Sequence, residues 1–299
     1  MKVKKSKKSK MIASFIVGIF LMFSIIISVL SLFTKFIVLN SDKYIDILEK
    51  KEIYAQMYEF LDGNLGYALI VNNIESDVKD GVISEEELET EVNSFIKSLM
   101  SYFVTGINEV KKVDVDKYSS RFSENLNDYI RKNSIFINSN TQNSIDILKG
   151  EISQIIKNEL EIINSDIIIN SSFSMILARI TSAFVRGFYL IPIIIVGILI
   201  LTLNFIWRGD NLRFLQWIGS SLIAAGLFIF ILFFSGYISE FYNNVSIYTI
   251  YLRNFVSNLI KYWMLTLWVS GMIITTLGTL MLIPLIKNYI KRSKMIKKA

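Results

Sequence analysis

Four long apolar runs constrain this chain more than any other feature. They occupy 11–34 (MIASFIVGIFLMFSIIISVLSLFT), 187–207 (GFYLIPIIIVGILILTLNFIW), 214–237 and 263–286. A helix rises about 1.5 Å per residue, so about 20 apolar residues cross a hydrocarbon core of about 30 Å. Only closed backbone hydrogen bonding survives in lipid, which makes each run a helix. The chain is 52% hydrophobic and 19% charged, and its apolar residues are gathered in these runs instead of being spread through a soluble core. The first run is too long for a signal peptide and no A-x-A cleavage site follows it, so it reads as an uncleaved anchor.

Orientation follows from the basic flanks. The first ten residues carry six lysines, and 287–299 carry six more Lys or Arg. Both ends are therefore expected in the cytoplasm, which agrees with four spans placing both termini on one side. Between 40 and 185 the chain has 24 acidic and 14 basic residues. The predicted organisation is a basic cytoplasmic arm (1–10), span one (11–39), an extracytoplasmic domain (40–185) and span two (186–207). A cytoplasmic turn (208–213), span three (214–237), an extracytoplasmic amphipathic helix (238–262), span four (263–286) and a basic cytoplasmic tail (287–299) follow. Trp207, Trp217, Tyr237, Tyr262 and Trp263 stand near span ends, where amphipathic rings favour the interface. Heavy use of Ile, Asn, Lys and Ser points to an AT-rich coding bias and a bacterial cell membrane.

The fold class expected is an all-α integral membrane protein: four transmembrane helices, with a helical bundle between spans one and two. The middle segment contains no proline and reads at helical period. Its stripes are Ile45, Leu48, Ile53, Met57 and Phe60; Leu88, Val92, Phe95, Ile96, Leu99 and Phe103; Phe122, Leu126 and Ile130; and Ile145, Leu148, Ile152, Ile156, Leu160 and Ile163. Each covers one face, as in a small antiparallel bundle. The polar stretch NSNTQNS (138–144) reads as a loop. The first stripe is expected to continue from span one, and SSFSMILARITSAFV to run into span two.

Several function classes lose support at this stage. With no histidine and no cysteine there is no Ser-His or Cys-His pair, disulfide or cysteine–zinc site. The four runs contain no Asp, Glu, His or Lys, which argues against a self-sufficient ion-coupled transporter or an intramembrane aspartyl protease. The charge is not a clustered basic face for nucleic acid. The arm, the turn and the tail are too short for a cytoplasmic catalytic domain. No cofactor or metal is expected, and no catalytic residue is assigned.

Two patterns offer binding faces. Phe241, Val245, Tyr248, Leu252, Phe255 and Leu259 recur at steps of four and three, as on an amphipathic helix that meets lipid or a membrane partner. Gly219, Ser221 and Ala225 in span three, with Gly271 and Gly278 in span four, permit close helix packing within the chain or between copies in a homo-oligomer. A third motif, DVKDGVISEEEL (77–88), resembles the second half of an EF-hand calcium loop, with Asp80, Gly81, Ile83 and Glu87 at its fifth, sixth, eighth and twelfth positions. Ser76 and Val78 stand where that loop needs its first carboxylates. The simpler reading is a glycine turn followed by a Ser84–Glu87 capping box.

The topology is similar in outline to the permeases of cell-division ABC transporters, although the turn RGDNLR is too short for their coupling segment. The expectation from sequence is a non-enzymatic membrane protein whose partners are the bilayer and a membrane or envelope protein at its outer domain. The alternative is an auxiliary subunit of a transporter whose motor lies in another chain.

Overall fold

The structure, a computed structural model, describes residues 2–106, 110–161 and 171–296. The fold is all-helical, 86% helix, with no strand among the described residues. Among the described residues four helices are long and apolar enough to span a membrane: Lys8–Val38, Phe188–Ile206, Asn211–Ile238 and Ile250–Ile290. In chain order the helices are α1 (Lys2–Phe33), α2 (Ser41–Lys50), α3 (Ile53–Val71), α4 (Glu85–Thr105), α5 (Val115–Lys132), α6 (Ser139–Leu160), α7 (Ser172–Arg186), α8 (Ile191–Ile206), α9 (Asn211–Ile238) and α10 (Ile250–Ile296).

These helices separate into two compact units. A span unit holds the described parts of Met1–Val38, Ala183–Ser246 and Val256–Ala299. A middle unit holds the described parts of Leu39–Ser182 together with Ile247–Phe255.

In the middle unit the inward faces follow the stripes read from sequence, except that Leu61 takes the buried place expected of Phe60, which is 36% exposed. Met57, Leu61, Leu88, Val92, Phe122, Leu126, Ile152 and Ile156 are essentially inaccessible to solvent. Burying each such side chain stabilises by about 1.5–3 kcal/mol relative to leaving it exposed. Two stripes need adjustment. Leu48 and Ile53 are five residues apart, which on one helix would rotate the second about 140° away from the first. The chain therefore breaks between α2 and α3, with Glu52 in the left-handed region at φ 52°, and both stripes turn inward. In α4 it is Tyr102, not Phe103, that completes the buried face. Ile163 lies outside the described residues.

Three local expectations are corrected. The stretch NSNTQNS is not a loop but the first two turns of α6, because the Asn138 side chain accepts from the backbone N–H groups of Asn140 and Thr141 at 2.9 Å. That N-cap outweighs the poor helix propensity of the run. Span one does not continue into the middle unit: it ends in a π-helical turn, Thr34–Val38, and Asn40 caps a new helix by accepting from Asp42 N. Nor does α7 run directly into span two. It stops before Gly187, and a 3-10 turn, Phe188–Leu190, precedes α8. Pro192 sits in the first turn of α8, where its missing N–H costs nothing.

Within the span unit α1 packs against both α8 and α9. Leu21, Ile25, Leu203, Ile218, Ala225 and Ile229 form its buried core. Lys35, near the end of the first span, reaches the Val185 carbonyl at 3.4 Å and lies over the Tyr189 ring.

Candidate functional site

The segment 238–262 is not one amphipathic helix. α9 ends at Ile238, a 3-10 turn covers Phe241–Asn244, Val245 is extended, and helix resumes at Ile250. The intervening YNNVSIYT is rich in Asn, Ser and β-branched residues, which compete with helix or lose rotamer freedom in it. Phe241, Val245 and Tyr248 therefore share no helical face with Leu252, Phe255 and Leu259, and Tyr248 is 98% exposed. The face that α10 buries is Tyr251, Phe255 and Leu259.

Tyr251 and Phe255 belong to the middle unit and dock there. Phe255 lies 6.4 Å from the Tyr44 ring, Tyr251 meets Phe60 edge-on at 5.6 Å, and Asn254 donates to Gln56 at 2.8 Å. The Tyr251 hydroxyl donates to Glu159 at 2.5 Å, and that carboxylate is only 9% exposed. Burial pushes the Glu159 carboxyl above the usual range, and the Tyr251 hydrogen bond opposes the shift. Apolar periodicity does not reveal Glu159, a carboxylate buried one residue before Leu160 on α6.

The small residues of span three serve two partners. Gly219 and Gly226 face α10, where a methyl group on Gly226 would stand 2.6 Å from Thr275 N and 2.7 Å from Gly271 O. A methyl on Gly219 would stand 3.0 Å from Gly278 O, and one on Gly278 2.8 Å from Ile223 N. The seven-residue spacing on both helices keeps all four glycines on one antiparallel seam. Ser221 and Ala225 are buried on the side toward α1, where Ser221 Oγ donates to Gly18 O at 3.0 Å. These residues thus close helix contacts inside the chain.

The turn WRGDNLRF is tightly made. Gly209 takes φ 89°, and Asp210 caps α9 through Arg213 N while pairing with the Arg213 guanidinium at 3.1 Å. Arg213 lies over the Trp207 ring, and Trp207, only 6% exposed, donates from Nε1 to Ser14 Oγ at 2.7 Å. Trp207 is thus a packed residue of the span unit, in contrast to the interface anchor expected from its position.

The EF-hand-like stretch forms the capping box. Ser84 accepts from Glu87 N, and Glu87 accepts from Ser84 N, both at 3.2 Å. Glu87 also binds Lys117 and Arg121 at 2.8 Å each, and these cations hold its carboxyl down at about 2. Asn125 donates to the carbonyls of Val78 and Asp80, fixing the Gly81 turn onto α5. The glutamate that a calcium loop would need is thus occupied by two side chains of α5. A Ser–Lys pair does occur, with Lys111 Nζ 3.2 Å from Ser94 Oγ. Lysine bases work when desolvated, whereas Lys111 is exposed.

What remains open lies where α3 and α5 end and α6 begins. A cavity of about 170 Å³ is lined by Ile74, Leu126, Ile130, Ile135, Ile145 and Leu148, with Tyr129 and several polar side chains at its rim. Tyr129 also lines a second cavity of about 260 Å³ with Glu75, Asp77, Asp80, Asp128 and Lys132. Beside the first, the α5–α6 connection exposes Ile135, Phe136 and Ile137, with Phe136 81% accessible. The predicted sites include none of these residues. Their signal was the apolar triplet SIFIN set between polar runs, which the helical reading passed over.

No protein-family model, curated protein or solved structure matches the chain.

Proposed function

We propose that this chain is a non-enzymatic integral membrane protein of a bacterial cell membrane, with both termini in the cytoplasm. Its middle unit lies outside the cytoplasm and binds or positions a protein or envelope partner. The observation that carries the reading is an exposed apolar segment, Ile135–Ile137, beside a cavity of the middle unit, which also exposes Tyr67, Ile70, Phe173 and Ile176. Ile135, Phe136 and Ile137 gain nothing from solvent, and an exposed apolar patch next to a cavity is a common mark of an interaction site. The lysine-rich flanks support the orientation. The short linkage between α8 and α9 gives little purchase for a cytoplasmic motor, so it disfavours the transporter-subunit alternative.

The test is crosslinking in intact cells from a photoreactive residue placed in turn at 67, 124 and 136. A discrete product to a membrane or envelope protein from at least one position supports the proposal. Absence of any product, together with unaltered behaviour of cells carrying a chain that lacks 41–185, would defeat it.

A further inference from the structure

We propose that the two adjoining cavities form one recognition groove for a protein segment that presents a large aliphatic side chain next to a lysine or arginine. This rests on the reading of the middle unit as a partner-binding module, and it specifies the partner's chemistry.

The apolar half arises from the sequence of α6. Its first two turns, NSNTQNS, carry no apolar side chain, and Ile145 is the first residue of the stripe. The space lined by Leu126, Ile130, Ile145 and Leu148 is consequently bordered at this end by polar side chains, Thr141 and Ser144. The resulting space, about 170 Å³, is comparable with engineered cavities of about 150 Å³ lined by Leu, Ile and Phe that accept benzene. It therefore holds a leucine-sized side chain. Ile135 extends the wall from the neighbouring connection.

The polar half supplies charge of one sign. Asp128 is paired with Arg131, but no ion pair engages Glu75, Asp77 or Asp80 among the described residues. Lys132 is the one cation that lines this half. The groove thus attracts a cation and repels phosphate, which disfavours anionic lipid and nucleic acid as occupants. The carboxylates do not converge as a metal cluster would: no group of three metal-ligating residues occurs among the described residues. Exposed carboxylates bind a lone ammonium weakly, and a shallow apolar cavity binds a lone side chain weakly. Because Tyr129 borders both halves, one short segment can occupy them together, and the combination sets the specificity.

The experiment uses the full chain in nanodiscs and four fluorescent peptide pools of nine residues. Their central pair is Leu-Lys, Ser-Lys, Leu-Ser or Leu-Glu, and binding is followed by anisotropy. The expected result is binding of the Leu-Lys pool at least tenfold tighter than the other three. Two variants at exposed positions, Ile135→Asp and the double change Asp77→Lys with Asp80→Lys, should each weaken that binding at least tenfold. Equal binding of all pools, no binding of any, or variants that bind like the parent would overturn the groove. If crosslinking from 67 or 124 still captures a partner in cells, the broader reading stands and only the groove fails. If no position crosslinks and cells carrying the chain that lacks 41–185 behave unaltered, both fall.

Discussion

Replacing Gly226 by alanine tests the glycine seam between α9 and α10. The added methyl would sit 2.6 Å from Thr275 N and 2.7 Å from Gly271 O, where ordinary contact begins near 3.4 Å. Two backbones must then separate by about 0.7–0.8 Å, and a gap of that size forfeits a quarter to a half of each dispersion contact along the seam. Overpacking of this kind costs about 1–3 kcal/mol. Alanine also favours helix over glycine by about 0.5–1 kcal/mol, which would mask part of the loss. The control is Gly197→Ala in α8, where an added methyl meets nothing within 4 Å and the helix gain stands alone. The difference between the two variants isolates the steric cost, about 1–3 kcal/mol or about 5- to 140-fold in the unfolding equilibrium. SDS titration in mixed micelles, read by tryptophan fluorescence, suits the seam because Trp268 packs against Phe230 and Phe234 beside it. Equal stability of the two alanine variants would refute the close approach.

Three further outcomes follow from the middle unit. Glu87, held at about 2 by Arg121 and Lys117, contributes stability that is complete above its ordinary value of 4.5 and is lost as pH falls toward 2. Glu87→Gln should therefore lower stability by about 1 kcal/mol at pH 7 and flatten the pH dependence in that acid window, as measured by thermal melts across pH. Glu159 has the opposite sign: its folded value is raised, so its contribution favours folding at low pH and is lost as pH rises through the raised value. Glu159→Gln, which keeps an acceptor for Tyr251, should stabilise the protein at neutral pH, whereas Tyr251→Phe strands the buried carboxylate and should cost about 1–3 kcal/mol. Leu61→Ala, at a fully buried position, should lower stability by about 2–5 kcal/mol in denaturant titration; a loss below 1 kcal/mol would contradict the packing of α3.

Much of this fold was legible because lipid and helix impose strong periodicities. The four apolar runs and the stripes of α4, α5 and α6 are set by length and by the 3.6-residue repeat. Boundaries were harder, since caps decide them. Asn138 draws a polar run into helix, and the five-residue step from Leu48 to Ile53 forces a break that composition does not signal. The partner stripe was misread for a related reason. Phe241, Val245 and Tyr248 fit the repeat by spacing, yet the Asn-, Ser- and β-branched connector does not sustain a helix, and Tyr251 supplies the buried face. The glycines were recognisable as small, but which helix each one meets depends on register. The Ile135 patch and the two cavities depend on where three helices stop together, which no single segment encodes.

In the proposed orientation the middle unit lies outside the cytoplasm and the 207–210 turn inside it. The chain has no cysteine, so a single engineered one reports without background. Glu124→Cys and Arg208→Cys, both at exposed positions, would be treated in intact cells with a membrane-impermeant maleimide. Labelling at 124 in intact cells, with labelling at 208 only after permeabilisation, is the predicted pattern. The reverse pattern would invert the orientation and contradict the account.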